Sequence, residues 1–162
     1  MDLLVIRHGQ AEPRGEGGSD ASRRLTEDGR KKLRRGAKGL RKLVPELDLL
    51  VSSPLVRAVE TAAIVSEAYG GLAVEETPCL EPEREPKELA DWLAERSAAT
   101  LAIVGHEPLL SHAVSWFLSG LRSSFVELKT GSACLLSFPD EIGAGRARLI
   151  FALDPWQLRR MR

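Results

Sequence analysis

The chain of 162 residues lacks the features that are typical of membrane, nucleic-acid-binding and zinc proteins. Its formal net charge at pH 7 is zero, so it has no overall attraction for nucleic acid or for an anionic membrane surface. No apolar run approaches the ~18 residues that cross a bilayer. The two cysteines, Cys79 and Cys134, do not form a CxxC pair or another zinc-ligand spacing. We therefore expect no nucleic-acid partner, no membrane partner and no metal site.

The length and composition predict one compact domain over residues 1–162. A hydrophobic content of 43% with 28% charged residues is ordinary for a globular protein, and a chain of this length forms a single core. The chain starts with a strand pattern and not with the apolar core and cleavage site of a signal peptide. We therefore expect the protein to occupy the reducing cytoplasm.

Apolar runs and helical patterns alternate through most of the chain. Short, near-continuous apolar runs predict strands covered on both faces at residues 2–6, 48–52 and 100–104. Helical patterns lie between and after them, at residues 26–43, 54–69, 86–96 and 108–118. This alternation predicts an α/β fold, a three-layer α/β/α sandwich with a mostly parallel central sheet and right-handed crossovers.

After residue 118 the pattern changes from alternating strands and helices to successive strands. Strand patterns occur there at residues 125–128, 133–138 and 147–153. A glycine-containing turn at residues 139–146 separates the last two, so we expect antiparallel pairing in this tail. A final short helix is predicted to start at Pro155.

Local signals predict how the connections are built. Thr26 is the expected cap of the first long helix, and Ser53 the expected cap of the second, with Pro54 in its first turn. The segment 12–24 is rich in glycine and charge, which predicts a flexible loop directly after the opening strand.

Arginine and histidine side chains follow three of the predicted strands. Arg7 and His8 follow the first strand, Arg57 comes shortly after the second, and His106 follows the strand at residues 100–104. The carboxyl ends of parallel strands meet at one edge of a sheet, where α/β proteins bind ligands. Two guanidiniums, an imidazolium and exposed helix N–H groups at that edge would bind a phosphoryl group. Arg57 favours this interpretation, because a cation in the first turn of a helix needs an anionic partner.

Structural roles compete with this interpretation. A single arginine at a strand end is usually a solvated or ion-paired surface residue, and a single histidine is more often packed or exposed than catalytic. Zinc binding is the rival use of two histidines, but no third histidine, cysteine or carboxylate stands at a ligand spacing. His112 falls with Ser111 and Ser115 on the polar face of its helix, so we assign it no role in the site.

Four motifs in order along the chain identify a family resemblance. RHG ends the first strand, LTEDG opens the first long helix, SSPLVRAVETA follows the second strand, and VGHEP follows a later one. Together they resemble the histidine phosphatase, or phosphoglycerate mutase-like, superfamily over residues 6–108. The short chain without a long insertion before VGHEP, and the form RRLTEDG, resemble the small SixA-type phosphohistidine phosphatases more than the mutases.

The resemblance implies a role for each matching residue. His8 would be the nucleophile that accepts the phosphoryl group, and Arg7, Arg57 and His106 would bind the phosphoryl oxygens. The nucleophile has to be neutral, with its second ring nitrogen held by an acceptor such as a backbone carbonyl. No metal and no organic cofactor is implied.

The family's proton donor is a glutamate after the third strand, where this chain reads TPCLEPEREP. Glu81 is the first candidate and Glu83 the second, although the local pattern departs from the Leu-x-Glu form of the mutases. Glu107, next to His106, is a third candidate. Exposed loop carboxylates and an ordinary first-turn glutamate are the competing interpretations.

A few further residues have two interpretations each. Ser53 is either a donor to the phosphoryl group or the helix cap, and Arg24 either reaches the site or covers the surface. Thr26 is assigned as a cap only. Residues 130–132 are expected to line the opening of the site.

The expected function is that of a phosphatase with a covalent phosphohistidine intermediate. Its substrate would be phosphohistidine on a protein, such as a histidine phosphotransfer domain. A small phosphorylated metabolite is the alternative substrate, and a noncatalytic module that binds phosphate or a phosphoprotein is the alternative class. A mutase is disfavoured, because no segment is long enough to close over the site. The sequence leaves the oligomeric state open.

Overall fold

The computed structural model describes residues 1–15 and 19–161. The strands within them are β1 (Asp2–Arg7), β2 (Leu49–Ser52), β3 (Val74–Glu76), β4 (Thr100–Gly105), β5 (Ala133–Ser137) and β6 (Arg148–Leu153). The α-helices are α1 (Glu27–Leu43), α2 (Val56–Ala68), α3 (Pro86–Ala94), α4 (Leu109–Ser119) and α5 (Pro155–Leu158). Two short 3-10 helices lie at Asp20–Ser22 and Pro78–Leu80.

The six strands form one mixed sheet in the order β3-β2-β4-β1-β5-β6. The first four in that order are parallel to one another. β5 is antiparallel to both β1 and β6, so five of the six strands point the same way. The predicted α/β class, the mostly parallel sheet and the antiparallel tail are confirmed.

Alternate residues of the strands face opposite layers of helices. Leu4 and Ile6 of β1 belong to the core cluster that α1, α2 and α5 cover. Leu3 and Val5 belong to the cluster that α3 and α4 cover. Burial on both faces explains why the strand sequences are continuous apolar runs. The three-layer arrangement is therefore confirmed.

The two predicted helix caps have different outcomes. The hydroxyl oxygen of Thr26 accepts a hydrogen bond from the Gly29 N–H at 2.9 Å, so Thr26 caps α1 as predicted. The prediction that Ser53 caps α2 is wrong, because α2 begins at Val56 and its N-cap, Leu55, has no side-chain hydrogen bond. The N–H of Ser53 instead donates to the carbonyl of Val104 at 2.9 Å. That bond keeps Ser53 attached to the sheet, beyond the end of β2.

The prediction of a strand at residues 125–128 is also wrong. These residues pair with no strand among residues 1–15 and 19–161. The N–H of Phe125 donates to the hydroxyl of Ser115 on α4 at 3.1 Å, and the carbonyl of Leu128 accepts from the guanidinium of Arg7. β5 already pairs with β1 at this side of the sheet. Val126 and Leu128 of the segment pack on the core, whereas Phe125 is exposed.

The segment after β1 is more ordered than a flexible loop where the structure describes it. The N–H of Glu12 donates to the carbonyl of Arg24 at 2.8 Å, and Ala11 pairs with Leu25 in an isolated antiparallel bridge. Part of the predicted loop, residues 16–18, lies outside the described residues. The beginning and the end of the segment are therefore paired with each other. The 3-10 helix Asp20–Ser22 lies between them, and its Asp20 lines the cavity described below. No helix in the described part of the chain is long and apolar enough to cross a membrane.

Candidate active site

The predicted site residues meet at the carboxyl ends of the parallel strands. Arg7 is opposite Gly105 in the pairing of β1 with β4, so the residues that follow, His8 and His106, lie side by side. Their ring centroids are 5.0 Å apart. A cavity of about 360 Å³ is lined by these two histidines together with Arg7 and Arg57. The structure thus brings the four strongest sequence candidates into one site.

Both ring nitrogens of His8 are hydrogen-bonded, and one of them is unprotonated. Its Nδ1 donates a hydrogen bond to the carbonyl of Gly9 at 2.7 Å, because a carbonyl can only accept. Its Nε2 therefore carries the lone pair, and it accepts from Nε of Arg57 at 3.2 Å. The Gly9 peptide is fixed in turn, since its N–H donates to the hydroxyl of Thr61 at 3.0 Å. The predicted carbonyl acceptor for the second nitrogen is confirmed.

The surroundings of His8 keep its imidazole neutral. Burial lowers the pKa of His8 to about 4, and the positive charges of Arg57 and Arg7 act in the same direction. The residue is only 7% exposed. At neutral pH its Nε2 is therefore an unprotonated nitrogen that faces the guanidinium of Arg57.

His106 differs from the expectation in its charge. Burial lowers the pKa of His106 to about 3, and His8 and Arg57 add to the effect. The sequence-based expectation of an imidazolium at this edge of the sheet is wrong for both histidines, because burial lowers the pKa of each and the sequence pattern does not show how deeply the rings are buried. A neutral His106 still offers an N–H group, and its Nδ1 is buried without a hydrogen-bond partner in the described part of the chain.

Ser53 is part of the site through His106. Its hydroxyl is hydrogen-bonded to Nε2 of His106 at 2.9 Å, and the residue is fully buried. This contact orients the His106 ring. Ser53 therefore contacts a residue that lines the cavity and does not form the predicted helix cap.

Arg7 and Arg57 are positioned by different contacts. Arg7 donates from one terminal nitrogen to the carbonyl of Leu128, and its Nε is buried without a partner among the described residues. Arg57 is 4% exposed and forms an ion pair with Asp20 at 2.9 Å. Asp20 supplies the anionic partner that a cation near the start of α2 requires.

The three candidate proton donors are not equivalent. Glu81 follows the 3-10 helix Pro78–Leu80, lies 3.9 Å from Arg84, and does not line the cavity. Glu83 is exposed and does not line it either. Glu107 does line the cavity, and its Oε1 is buried with no partner in the part of the chain that the structure describes. Of the three glutamates, the geometry favours Glu107.

Two residues of the site were missed by the sequence analysis. Asp20 and Arg23 both line the cavity, whereas Arg24, which was considered, pairs with Glu60 at 2.9 Å and is 69% exposed. The only signal was the charge of the segment 12–24 directly after the RHG motif. That signal does not show which charged side chain turns inward.

The predicted lining at residues 130–132 is present in part. Thr130 lines the cavity. The N–H of Gly131 is shared between the carbonyls of Arg7, at 3.2 Å, and His8, at 3.0 Å. Ser132 is buried, and its hydroxyl donates to the carbonyl of Lys129 at 2.6 Å. Hydrogen bonds with Gly131 and Ser132 therefore hold the backbone of Arg7 and His8 in place.

Among residues 1–15 and 19–161, no group of three or more histidine, cysteine, aspartate or glutamate side chains is arranged to hold a metal ion.

The family model for the histidine phosphatase superfamily (branch 1) matches residues 3–85, just over half of the chain. The chain belongs to this superfamily. The match includes Arg7, His8 and Arg57, and it ends before His106.

Relatives of this histidine phosphatase chain cover nearly all of its length. An uncharacterized protein of Picosynechococcus sp. is 28% identical over 151 residues, which cover 86% of this chain and 92% of the relative. The solved structure of the protein histidine phosphatase SixA complexed with tungstate has a TM-score of 0.82 and 22% identity, covering 98% of this chain and 99% of SixA. A phosphoserine phosphatase mutant from Entamoeba histolytica has a TM-score of 0.73 and 15% identity, covering 95% and 97%.

These comparisons confirm the fold and the superfamily. The fold is the phosphoglycerate mutase-like α/β fold of the SixA structures. Membership in the superfamily, together with phosphatases as structural neighbours, supports a phosphatase. The neighbours act on different substrates by name, so the substrate of this chain is a separate question.

Proposed function

We propose that this protein is a phosphatase that transfers a phosphoryl group from a protein phosphohistidine to Nε2 of His8 and then to water. The observation that carries the proposal is the state of that nitrogen. Nε2 of His8 is unprotonated at neutral pH, lies in an open cavity, and faces the Nε–H of Arg57 at 3.2 Å. A nucleophile, a guanidinium and a cavity are the parts that phosphoryl transfer requires.

The reaction has two steps. In the first, the lone pair of Nε2 bonds to phosphorus, the P–N bond of the substrate breaks, and the departing imidazole nitrogen takes up a proton. In the second, water attacks the phosphorus of phosphorylated His8. The P–N bond to Nε2 then breaks, which releases inorganic phosphate and restores His8. The carbonyl of Gly9 holds the Nδ1 proton throughout, so the same nitrogen attacks in every cycle.

The site stabilises the charge of the transferred group. The transition state spreads negative charge over three equatorial oxygens, and donors fixed in advance stabilise it best. The Nε of Arg7 and Nδ1 of His106 are buried positions without a partner among the described residues, and Arg57 already faces His8. The proposed chemistry needs no metal ion, because guanidiniums supply the positive charge.

Glu107 is the proposed proton donor to the leaving group. It lines the same cavity as His8, whereas Glu81, the first candidate from the sequence, does not. The imidazole of a phosphohistidine leaves easily once its nitrogen is protonated, so one carboxyl group in the cavity lining is sufficient. An alkoxide from a phosphate ester is a poorer leaving group and depends more on the position of the acid.

A protein substrate fits the open site. The structural neighbour SixA is described as a protein histidine phosphatase, and phosphorylated His8 would lie in a cavity that a side chain can enter from the surface. A histidine phosphotransfer domain in the cytoplasm is the proposed partner. Small phosphate esters are the second candidate, because the cavity of about 360 Å³ also accommodates a small ligand.

Hydrolysis assays with EDTA and without added metal test the proposal. The substrates are a phosphohistidine peptide, free phosphohistidine, p-nitrophenyl phosphate and sugar phosphates, each with wild-type protein and His8→Ala. We expect turnover that depends on His8, with a preference for the phosphohistidine peptide. A preference for a small ester would keep the mechanism and change the substrate. Phosphate binding without any turnover would instead favour a noncatalytic binding module.

A further inference from the structure

The carboxylate of Asp20 lies between two guanidiniums at the edge of the cavity. Its Oδ2 accepts from a terminal nitrogen of Arg57 at 2.9 Å, and its Oδ1 accepts from a terminal nitrogen of Arg23 at 2.9 Å. The backbone carbonyl of Asp20 accepts from the other terminal nitrogen of Arg57 at 2.7 Å. The hydrogen bond from Arg23 and the bond and charge of Arg57 hold the pKa of Asp20 below its usual value. Asp20 is therefore a carboxylate at neutral pH.

These contacts fix which edge of Arg57 faces the nucleophile. A guanidinium has five N–H donors in a rigid fork. Asp20 accepts from both terminal nitrogens of Arg57, while the Nε–H points at Nε2 of His8. Rotation of the fork away from His8 would break two hydrogen bonds to Asp20. The remaining terminal N–H groups stay available to a ligand at Nε2.

Arg23 is held in the same way but keeps an unused donor. Its Nε donates to the carbonyl of Glu12 at 2.7 Å, and one terminal nitrogen donates to Asp20. The other terminal nitrogen has no hydrogen-bond partner in the described part of the chain. Arg23 lines the cavity, and its charge is close enough to contribute to the lowered pKa of His8. Its guanidinium is thus held in place at the rim of the cavity.

We propose that Arg23 binds the phosphoryl oxygens of the substrate and that Asp20 is the positioning residue that orients Arg23 and Arg57 toward them. One carboxylate between two guanidiniums leaves this rim with a net positive charge, so it still attracts a phosphate dianion. The inference rests on the proposed function for the identity of the substrate. Binding of inorganic phosphate by the rim can be measured without any turnover.

Calorimetric titration of the full chain with inorganic phosphate tests the role of Arg23. We expect Arg23→Gln to weaken phosphate binding by about tenfold, as for the loss of one charge-assisted hydrogen bond. The matched control is Arg24→Gln, which removes the same charge one residue away and should leave the dissociation constant within about twofold. An unchanged constant in Arg23→Gln, or no phosphate binding by the wild type, overturns the proposal.

The role of Asp20 is decided by the sign of its effect. If Asp20 positions the guanidiniums, Asp20→Asn weakens phosphate binding and lowers kcat, and Asp20→Glu restores part of both. If Asp20 instead competes with phosphate for Arg57, Asp20→Asn binds phosphate more tightly, and that result overturns the positioning role. Thermal unfolding of each variant shows whether a loss of phosphate binding or of kcat is due to misfolding. If Asp20→Asn does not fold, the phosphate affinity and kcat of Asp20→Glu still test the positioning role.

The outcomes separate this inference from the proposed function. If the wild-type protein binds phosphate through Arg23 but hydrolyses no substrate, the proposed phosphatase function is contradicted and the phosphate-binding role of Arg23 is supported. Protein that hydrolyses phosphohistidine with the same KM and kcat in Arg23→Gln would keep the phosphatase and contradict the inference. We expect Arg23→Gln to change KM more than kcat, because Arg23 contacts the substrate at the rim and not at the attacking nitrogen.

Discussion

The Nε–H of Arg57 points at Nε2 of His8 over 3.2 Å. This contact places a permanent cation beside the nitrogen that is proposed to attack phosphorus. The cation disfavours protonation of the ring, which keeps the lone pair available. Once phosphorus is bonded to Nε2, its oxygens come within reach of the same guanidinium. The guanidinium of Arg57 therefore keeps the free nucleophile unprotonated and is placed to bind the phosphoryl oxygens of the intermediate.

Arg57→Lys tests the importance of that geometry. Lysine keeps the charge but loses the planar fork that binds His8 and Asp20 together. We expect kcat for phosphohistidine peptide to fall by about 100-fold, the usual effect of removing one fixed donor to the transition state. Steady-state kinetics measures this, with Arg24→Lys as the control at the exposed pair with Glu60. A change of less than about threefold would contradict the role of the fork.

The site residues that the sequence predicts share one property. Arg7 ends β1, and His8 and His106 directly follow β1 and β4. Chain order alone places the ends of parallel strands at one edge. Arg57 is placed by the helix that starts after β2. Such positions depend on secondary structure, which the apolar runs indicate well.

The missed features depend on contacts between distant segments. Asp20 and Arg23 face the cavity because Glu12 and Arg24 close the loop and because Arg57 binds Asp20 from another element. Ser53 is not a cap, because the carbonyl of Val104 on the neighbouring strand holds its N–H. A local pattern contains none of these partners.

The charge of His106 was missed for a related reason. Its sequence position next to Gly105 and Glu107 is compatible with an exposed imidazolium, but the folded protein buries the residue to 1% exposure. Burial lowers the pKa to about 3. The depth of a side chain beneath neighbouring loops is a property of the tertiary structure, so no motif reveals it.

The lowered pKa of His8 predicts a specific response to pH. The ring should remain neutral as the pH falls from 7 and should protonate only near pH 4. Addition of inorganic phosphate should raise that midpoint, because an anion beside the ring favours the imidazolium. NMR titration of the His8 ring protons, assigned with His8→Ala, measures both effects. A midpoint near the ordinary value of about 6.5 would contradict the described environment.

Two glycines of α1 make a matched pair for stability. A methyl group at Gly39 would overlap the carbonyl oxygen of Leu158 on α5, whereas one at Gly36 would meet only Cβ of Leu158 at an ordinary 3.8 Å. We expect Gly39→Ala to destabilise the protein by about 2 kcal/mol or more, because backbone must move. Gly36→Ala should stabilise it by roughly 0.5–1 kcal/mol through helix propensity. Urea unfolding measures both. Equal effects of the two substitutions would contradict the packing of α5 on α1.

Glu107→Gln tests the proton donor. The amide cannot donate the acidic proton, so we expect kcat for phosphohistidine peptide to fall by about 100-fold. Turnover of p-nitrophenyl phosphate should fall much less, because p-nitrophenolate leaves without protonation. Glu81→Gln is the matched control outside the cavity and should resemble the wild type. A loss in Glu81→Gln with normal activity in Glu107→Gln would reverse the assignment.

The most direct test of the account is a search for phosphate on His8 during turnover. Protein in excess is mixed with a phosphohistidine peptide labelled on phosphorus, quenched in base within milliseconds to seconds, and mapped by proteolysis. We expect label on the peptide that contains His8, which forms and decays as inorganic phosphate appears, and neither label nor phosphate release in His8→Ala. Phosphate release without label on His8, or equal release by His8→Ala, would contradict it.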